Sequence, residues 1–160
     1  MLSVNIICVG NLKEKYLKDA ISEYSTRLTP FCRFSVVELS EYKLPQNPSD
    51  SQIEKAIEEE GKKILEKISR NSFVIPMCIE GKNLSSEELS QKLSAVSLQG
   101  ISTVDFIIGG SFGLSNEVKA RGDLRLSMSR MTFPHQLARV MLTEQIYRAF
   151  QISTGGKYHK

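Results

Sequence analysis

Between Ile107 and Leu114 the chain reads IIGGSFGL, an apolar run that breaks into glycines around one serine. A glycine-rich turn at the carboxyl end of a parallel strand is where open α/β sheets bind ligands. Glycine permits the sharp turn and lets the backbone approach what it binds. The run Gly109-Gly110-Ser111-Phe112-Gly113 is neither a G-x-G-x-x-G dinucleotide fingerprint nor a phosphate loop ending in Gly-Lys-Ser/Thr. It does match G-x-S-x-G, the turn that presents the nucleophile of serine hydrolases. Ser111, Asp123 and His135 follow the hydrolase order of nucleophile, acid and base. Against that chemistry, 160 residues is short for the hydrolase fold, and no HGGG-type oxyanion loop stands upstream.

The segment from Leu126 to Gln136, LSMSRMTFPHQ, offers different chemistry. Small hydroxyls interleaved with Met128, Met131 and Phe133 can wrap an adenine, giving its faces an apolar wall and its edge main-chain donors and acceptors. The same side chains would serve equally to fill a core. The helix that follows leaves unpaired N–H groups at its start, suited to an anion or a carboxylate. The last six residues, GGKYHK, place Tyr158 and His159 between lysines after two glycines. Such a tail is either a frayed end or, if folded over a site, a group that stacks a base and contacts phosphate.

The spacing argues against metal chemistry. Cys8, Cys32 and Cys78 are far apart, the only histidines are His135 and His159, and no pair has ligand spacing. Cys8 and Cys78 lie in apolar strand-like runs, so buried reduced thiols are expected.

The elements that must position these segments alternate in type. Residues 2–9 (LSVNIICV) read as a buried strand, 13–28 as an amphipathic helix closed by Pro30, and 34–39 as a second strand. After a loop with Pro45 and Pro48, Ser49 or Asp50 caps a charged helix that runs to about Ser69. Residues 73–79 (FVIPMCI) form a third strand, with Pro76 marking an edge or a strand end. Ser85 and Glu88 form a capping box that opens a helix to about Leu98. Residues 103–108 form a strand that feeds the glycine turn, followed by a short helix at 116–121 and a short strand at 124–127. A long helix then runs from Pro134, in its first turn, to about Ser153. The expected fold is a single α/β domain over residues 1–160, a mostly parallel sheet with helices on both faces. The final helix is apolar over more than half its circumference, so it is either central in one core or packed against a second copy of the chain; in a small α/β domain the homodimer is the more attractive reading.

Composition narrows the setting. With 41% hydrophobic and 24% charged residues the chain is globular. No run approaches the roughly 20 apolar residues of a membrane span. The N-terminus has no basic start or cleavage pattern, so no secretion is expected. The net charge of +3 is uneven. From Lys119 onward eight Lys/Arg face two acids, +6, which leaves −3 for the rest. That end of the chain is either a solvated basic face or a surface for a polyanion such as RNA.

Several pieces together resemble a known family. They are Val9-Gly10-Asn11-Leu12-Lys13, Glu80-Gly81-Lys82, the glycine turn from Ile108 to Leu114, MTFPHQLARV from Met131 to Val140, EQIYRAF from Glu144 to Phe150, and terminal Tyr158-His159-Lys160. The chain is similar over essentially its whole length to the SPOUT-class large-subunit rRNA pseudouridine methyltransferase H family. The resemblance implies a deep trefoil knot in the C-terminal half, a homodimer, and S-adenosyl-L-methionine as cofactor. It implies methyl transfer to N3 of a pseudouridine in helix 69 of 23S rRNA on the assembled ribosome, hence a cytoplasmic protein, with no metal and no membrane. By position the cofactor residues are Met77, where relatives carry Leu, with Gly109, Met128, Ser129, Arg130, Met131, Thr132 and Phe133. His135 or His159 would accept a proton or hold the uracil edge, Arg139 would stabilise charge on its carbonyls, and Tyr158 would stack on or hydrogen-bond the flipped base. A serine hydrolase and a non-catalytic ribosome-binding protein are the rival classes.

Overall fold

Side-chain parity along the strands decides the architecture. In the computed structural model, which describes residues 1–160, strands β1 (Ser3–Val9), β2 (Arg33–Leu39), β3 (Phe73–Asn83), β4 (Thr103–Ile108) and β5 (Leu126–Ser127) lie in the order β2-β1-β4-β3-β5. Every pairing is parallel. Val4, Ile6 and Cys8 of β1 share one face with Val104, Phe106 and Ile108 of β4. Ile7, Val9 and Ile107 share the other. Both faces are apolar because helices cover both, as an all-parallel sheet requires.

On the first face, Leu89, Leu93 and Val96 of α3 (Ser86–Leu98) meet Leu142, Ile146 and Ala149 of α5 (His135–Ser153). Helix α1 (Lys15–Leu28) also packs along α5. The second face is covered by α2 (Asp50–Lys67) through Ile64 and by α4 (Asn116–Arg121) through Val118. The capping residues act as their types dictate. Ser49 and Gln52 close a capping box on α2, leaving Asp50 in the first turn, and Ser85 and Glu88 close the one expected on α3.

Two departures from the sequence expectation matter for the site. Strand β3 continues to Asn83, four residues beyond the expected run, and Pro76 stands inside it. Proline has no N–H for the ladder. Pairing with β4 stops at Pro76, opposite Ile107, and β3 then serves β5 alone. Met77 and Lys82 both pair with Leu126, so this half of β3 curls around residues 125–127. Gly81 makes the approach possible, since a Cβ there would lie 2.8 Å from the Leu126 carbonyl carbon. The arrangement agrees with the knot that the resemblance implies. The second departure is smaller. Pro134 sits at the N-cap of α5, just outside its first turn, and supplies no side-chain cap.

The apolar surplus of α5 is not consumed within the chain. Leu142, Ile146 and Ala149 are buried, while Leu137 is 41% exposed and Val140 and Met141 are half-buried. No helix is long and apolar enough to cross a membrane.

Candidate active site

Where β3 parts from β4, a cavity of about 840 Å³ opens beyond the carboxyl ends of β4 and β5. That size lies within the range of small-molecule and cofactor sites. Three segments and one residue of α4 build it: Met77 to Glu80 of β3, Ile108 at the end of β4 with the turn to Leu114, residues between Leu126 and Ala138, which include the start of α5, and Lys119.

The glycine turn is tight because its ends nearly touch. A Cβ on Gly109 would lie 2.7 Å from the carbonyl carbon of Gly113, and Gly113 has φ +86°. Gly113 N–H donates to Gly110 O at 3.1 Å, which leaves Ser111 and Phe112 exposed at the tip. The loop after β5 is shaped by two serines. Ser127 Oγ donates to Ser129 O at 3.0 Å, and Met131 N–H donates to Ser129 Oγ at 3.0 Å. This short-range bonding holds Met128, Thr132 and Phe133 against the cavity and leaves Met131 at its rim, 73% exposed. At the start of α5 the first N–H with a helical acceptor is that of Ala138, to Pro134 O at 2.9 Å. The N–H groups of His135, Gln136 and Leu137 precede the helical ladder and have no side-chain cap.

Of the expected cofactor residues, Met77, Gly109, Met128, Ser129, Met131, Thr132 and Phe133 line the cavity. Arg130 is exposed and does not. His135 lines it; the other three expected catalytic residues lie elsewhere in this chain. Arg139 is 1% exposed, with Nη1 donating to Glu38 Oε2 at 2.7 Å and Nη2 to Gly10 O at 3.0 Å. Glu38 Oε2 also accepts the Leu12 N–H at 3.1 Å. The pair therefore ties the loop after β1 to the helix behind the cavity.

The tail folds back over α5 and α3. Tyr158 packs edge-on against Tyr147, with centroids 4.8 Å apart, and its hydroxyl donates to Glu144 Oε1 at 3.1 Å. Burial, ahead of hydrogen bonding with Tyr24 and Glu144, pushes the phenol above its ordinary range and keeps it protonated. His159 Nε2 lies 2.6 Å from Glu87 Oε1, and its Nδ1 lies 3.1 Å from Arg148 Nη1. Arginine can only donate, so Nδ1 accepts and the proton sits on Nε2, facing the carboxylate.

The hydrolase arrangement is not assembled. Asp123 Oδ2 accepts the Val74 N–H at 2.8 Å and pairs with Arg121 at 3.4 Å, so the acid is committed away from His135. The cysteines are free, and burial pushes the Cys8 and Cys32 thiols up to about 11. Cys78, expected to be buried, is half-buried in the cavity wall, because β3 has already left β4 at that point. No group of three or more His, Cys, Asp or Glu side chains stands together to hold a metal ion.

Residues 2–159 match the family described as "Predicted SPOUT methyltransferase". The chain belongs to the SPOUT methyltransferase family. It is 52% identical, over 99% of its length and 100% of the relative's, to "Ribosomal RNA large subunit methyltransferase H" of Clostridioides difficile (strain 630). The same name, identity and coverage hold for a relative from Streptococcus pneumoniae (strain CGSP14). Among solved structures it is similar to "a probable methylase family protein from Haemophilus influenzae Rd KW20", with TM-score 0.55 and 15% identity, over 100% of this chain and 72% of that one. That likeness concerns the fold alone.

A SPOUT methyltransferase needs a methyl donor, and the cavity has the walls for one. Two charged side chains in it had no sequence signal as a pair. Glu80 of β3 and Lys119 of α4 both line the cavity, and Lys119 Nζ donates to Glu80 Oε1 at 2.5 Å. They stand 39 residues apart, Glu80 on the part of β3 beyond its pairing with β4 and Lys119 on α4.

Proposed function

We propose that the protein is an S-adenosyl-L-methionine-dependent rRNA methyltransferase that methylates N3 of a pseudouridine in helix 69 of 23S rRNA on the assembled ribosome. The observation that carries this is the cavity where seven of the eight expected cofactor residues converge, one wall of it a turn that only glycine at 109 lets close. The names of the full-length relatives at 52% identity support the rRNA substrate. A ribosomal substrate implies a cytoplasmic protein.

The donor fits the residues present. Met77, Met128 and Phe133 offer apolar walls to an adenine, and the loop backbone offers polar partners to its edge. When bound, the donor supplies a methyl group already activated by its sulfonium, so the protein's task is alignment and management of the N3 proton. His135, in the cavity wall, accepts that proton or holds the uracil edge. Arg130, exposed beside the cavity loop, and the basic C-terminal third meet RNA phosphate. Arg139 works from behind the wall, fixing the turn of α5 that carries His135, instead of reaching the uracil carbonyls directly. Tyr158 and His159 serve the active site of a second copy in a homodimer, where Tyr158 stacks on or hydrogen-bonds the flipped base.

The test is mass spectrometry of rRNA from cells lacking the protein. One methyl group is lost from 23S rRNA and regained on complementation. An unchanged methylation pattern, with the protein still bound to ribosomes, would favour a non-catalytic ribosome-binding role.

A further inference from the structure

Glu80 is the only carboxylate and Lys119 the only lysine or arginine among the residues that line the cavity. They are paired with each other and with nothing else in the cavity. Lys119 is 22% exposed and Glu80 56%, so the pair sits at the solvent edge of the cavity wall, and a pair so placed contributes little to the fold. Its hydrogen bond to Lys119 holds the Glu80 carboxyl below the usual carboxylate range, so Glu80 is a carboxylate at neutral pH. The rest of the lining is apolar or small and polar, with His135 its one imidazole.

A paired cation and anion on one wall complement a ligand that ends in a zwitterion. Such an end exchanges one internal ion pair for two intermolecular ones and leaves no charge unmatched. Resting on the donor assigned above, we propose that Lys119 and Glu80 dock its amino-acid end, Lys119 taking the α-carboxylate and Glu80 the α-ammonium. They therefore help to decide which adenosine thioethers the site accepts, a selectivity that the adenine-facing loop cannot supply. The competing place for the carboxylate is the uncapped start of α5.

The assignment is tested by calorimetry with two probes, S-adenosylhomocysteine and 5′-methylthioadenosine, which share the adenosine thioether but differ in the amino-acid end. Lys119→Met is expected to weaken S-adenosylhomocysteine about tenfold, as loss of a charge-assisted contact does, and to leave 5′-methylthioadenosine within about twofold. Glu80→Gln should show the same selectivity more weakly, and Lys119→Arg should retain binding. Methylthioadenosine binding reports that each variant is folded. Equal losses for both probes would show a structural role and overturn the proposal. An unchanged S-adenosylhomocysteine affinity in Lys119→Met would assign the carboxylate to the start of α5 instead. Wild-type protein that binds neither probe would remove the donor itself, and this assignment with it.

Discussion

Arg139 and Glu38 are an ion pair with unequal burial, and the inequality makes their loss asymmetric. The guanidinium is 1% exposed, whereas the Glu38 side chain is 39% exposed and keeps the Leu12 N–H as a partner. Removing the acid leaves a buried charge with only Gly10 O; removing the base leaves a carboxylate that can turn to water. Glu38→Ala is therefore expected to destabilise the protein by about 3 kcal/mol, and Arg139→Met by roughly 1–2 kcal/mol. Denaturant midpoints at constant slope measure both, and equal losses or the reverse order would defeat the argument. Arg139 was legible in the sequence as a functional candidate but not as a buried tie, because its partner lies 101 residues away. Glu60 shows the converse case of a carboxyl disfavoured by its surroundings. Burial raises its pKa, with nearby Glu41 adding to the rise and the Tyr42 N–H opposing it. A carboxyl raised on folding binds its proton more readily in the folded state, so its penalty is absent at low pH. The penalty grows as pH rises past the unfolded value and is complete above the folded one. Glu60→Gln should accordingly match wild type in strong acid and gain stability relative to it through the acid range, reaching a plateau near neutrality. A difference independent of pH would contradict this.

At the scale of elements, much of the pattern was visible from residue types. Strand β4 and helix α4 begin and end where periodicity put them, and the Ser85–Glu88 box forms as its spacing predicts. The end of β3 was not visible. Its last residues, Glu80 to Asn83, carry no strand-like alternation, and their pairing is supplied by residues 125–127, more than forty positions later. For the same reason the cavity's segments could be nominated singly, while the Glu80–Lys119 pair could not. The tail lies between these cases: its residue types suit contact with RNA, but nothing in their spacing gives their resting place. In this chain Tyr158 and His159 hold onto Glu144, Arg148 and Glu87 rather than entering the cavity. Deleting Tyr158 to Lys160 should thus abolish methylation of ribosomes and leave S-adenosylhomocysteine affinity within about twofold. Full turnover without these residues would mean that the tail is only a packed terminus.

The whole molecule then poses a geometric question. The cavity opens beyond the carboxyl ends of β4 and β5, beside the half of β3 that has left β4, whereas the tail is anchored by α5 and α3. If both act on one base, the simplest solution is a second copy that sets its tail beside the first copy's cavity. The uncovered apolar side of α5, with Leu137, Val140 and Met141, offers that copy a surface next to the cavity residues His135 and Ala138. Closed two-fold association would create two such composite sites. The protein should therefore have twice its 18.0 kDa chain mass by light scattering at micromolar concentration. The stronger test mixes two inactive proteins, one lacking Tyr158 to Lys160 and one with the cavity wall disrupted by Gly109→Val, where even a Cβ would meet the Gly113 backbone. In a mixed dimer one composite site joins an intact cavity to an intact tail, so random exchange should restore about a quarter of wild-type activity, half the dimers being mixed and each having one working site. If each chain used its own tail, neither half of a mixed dimer would be whole, and the mixture would stay as inactive as its parents.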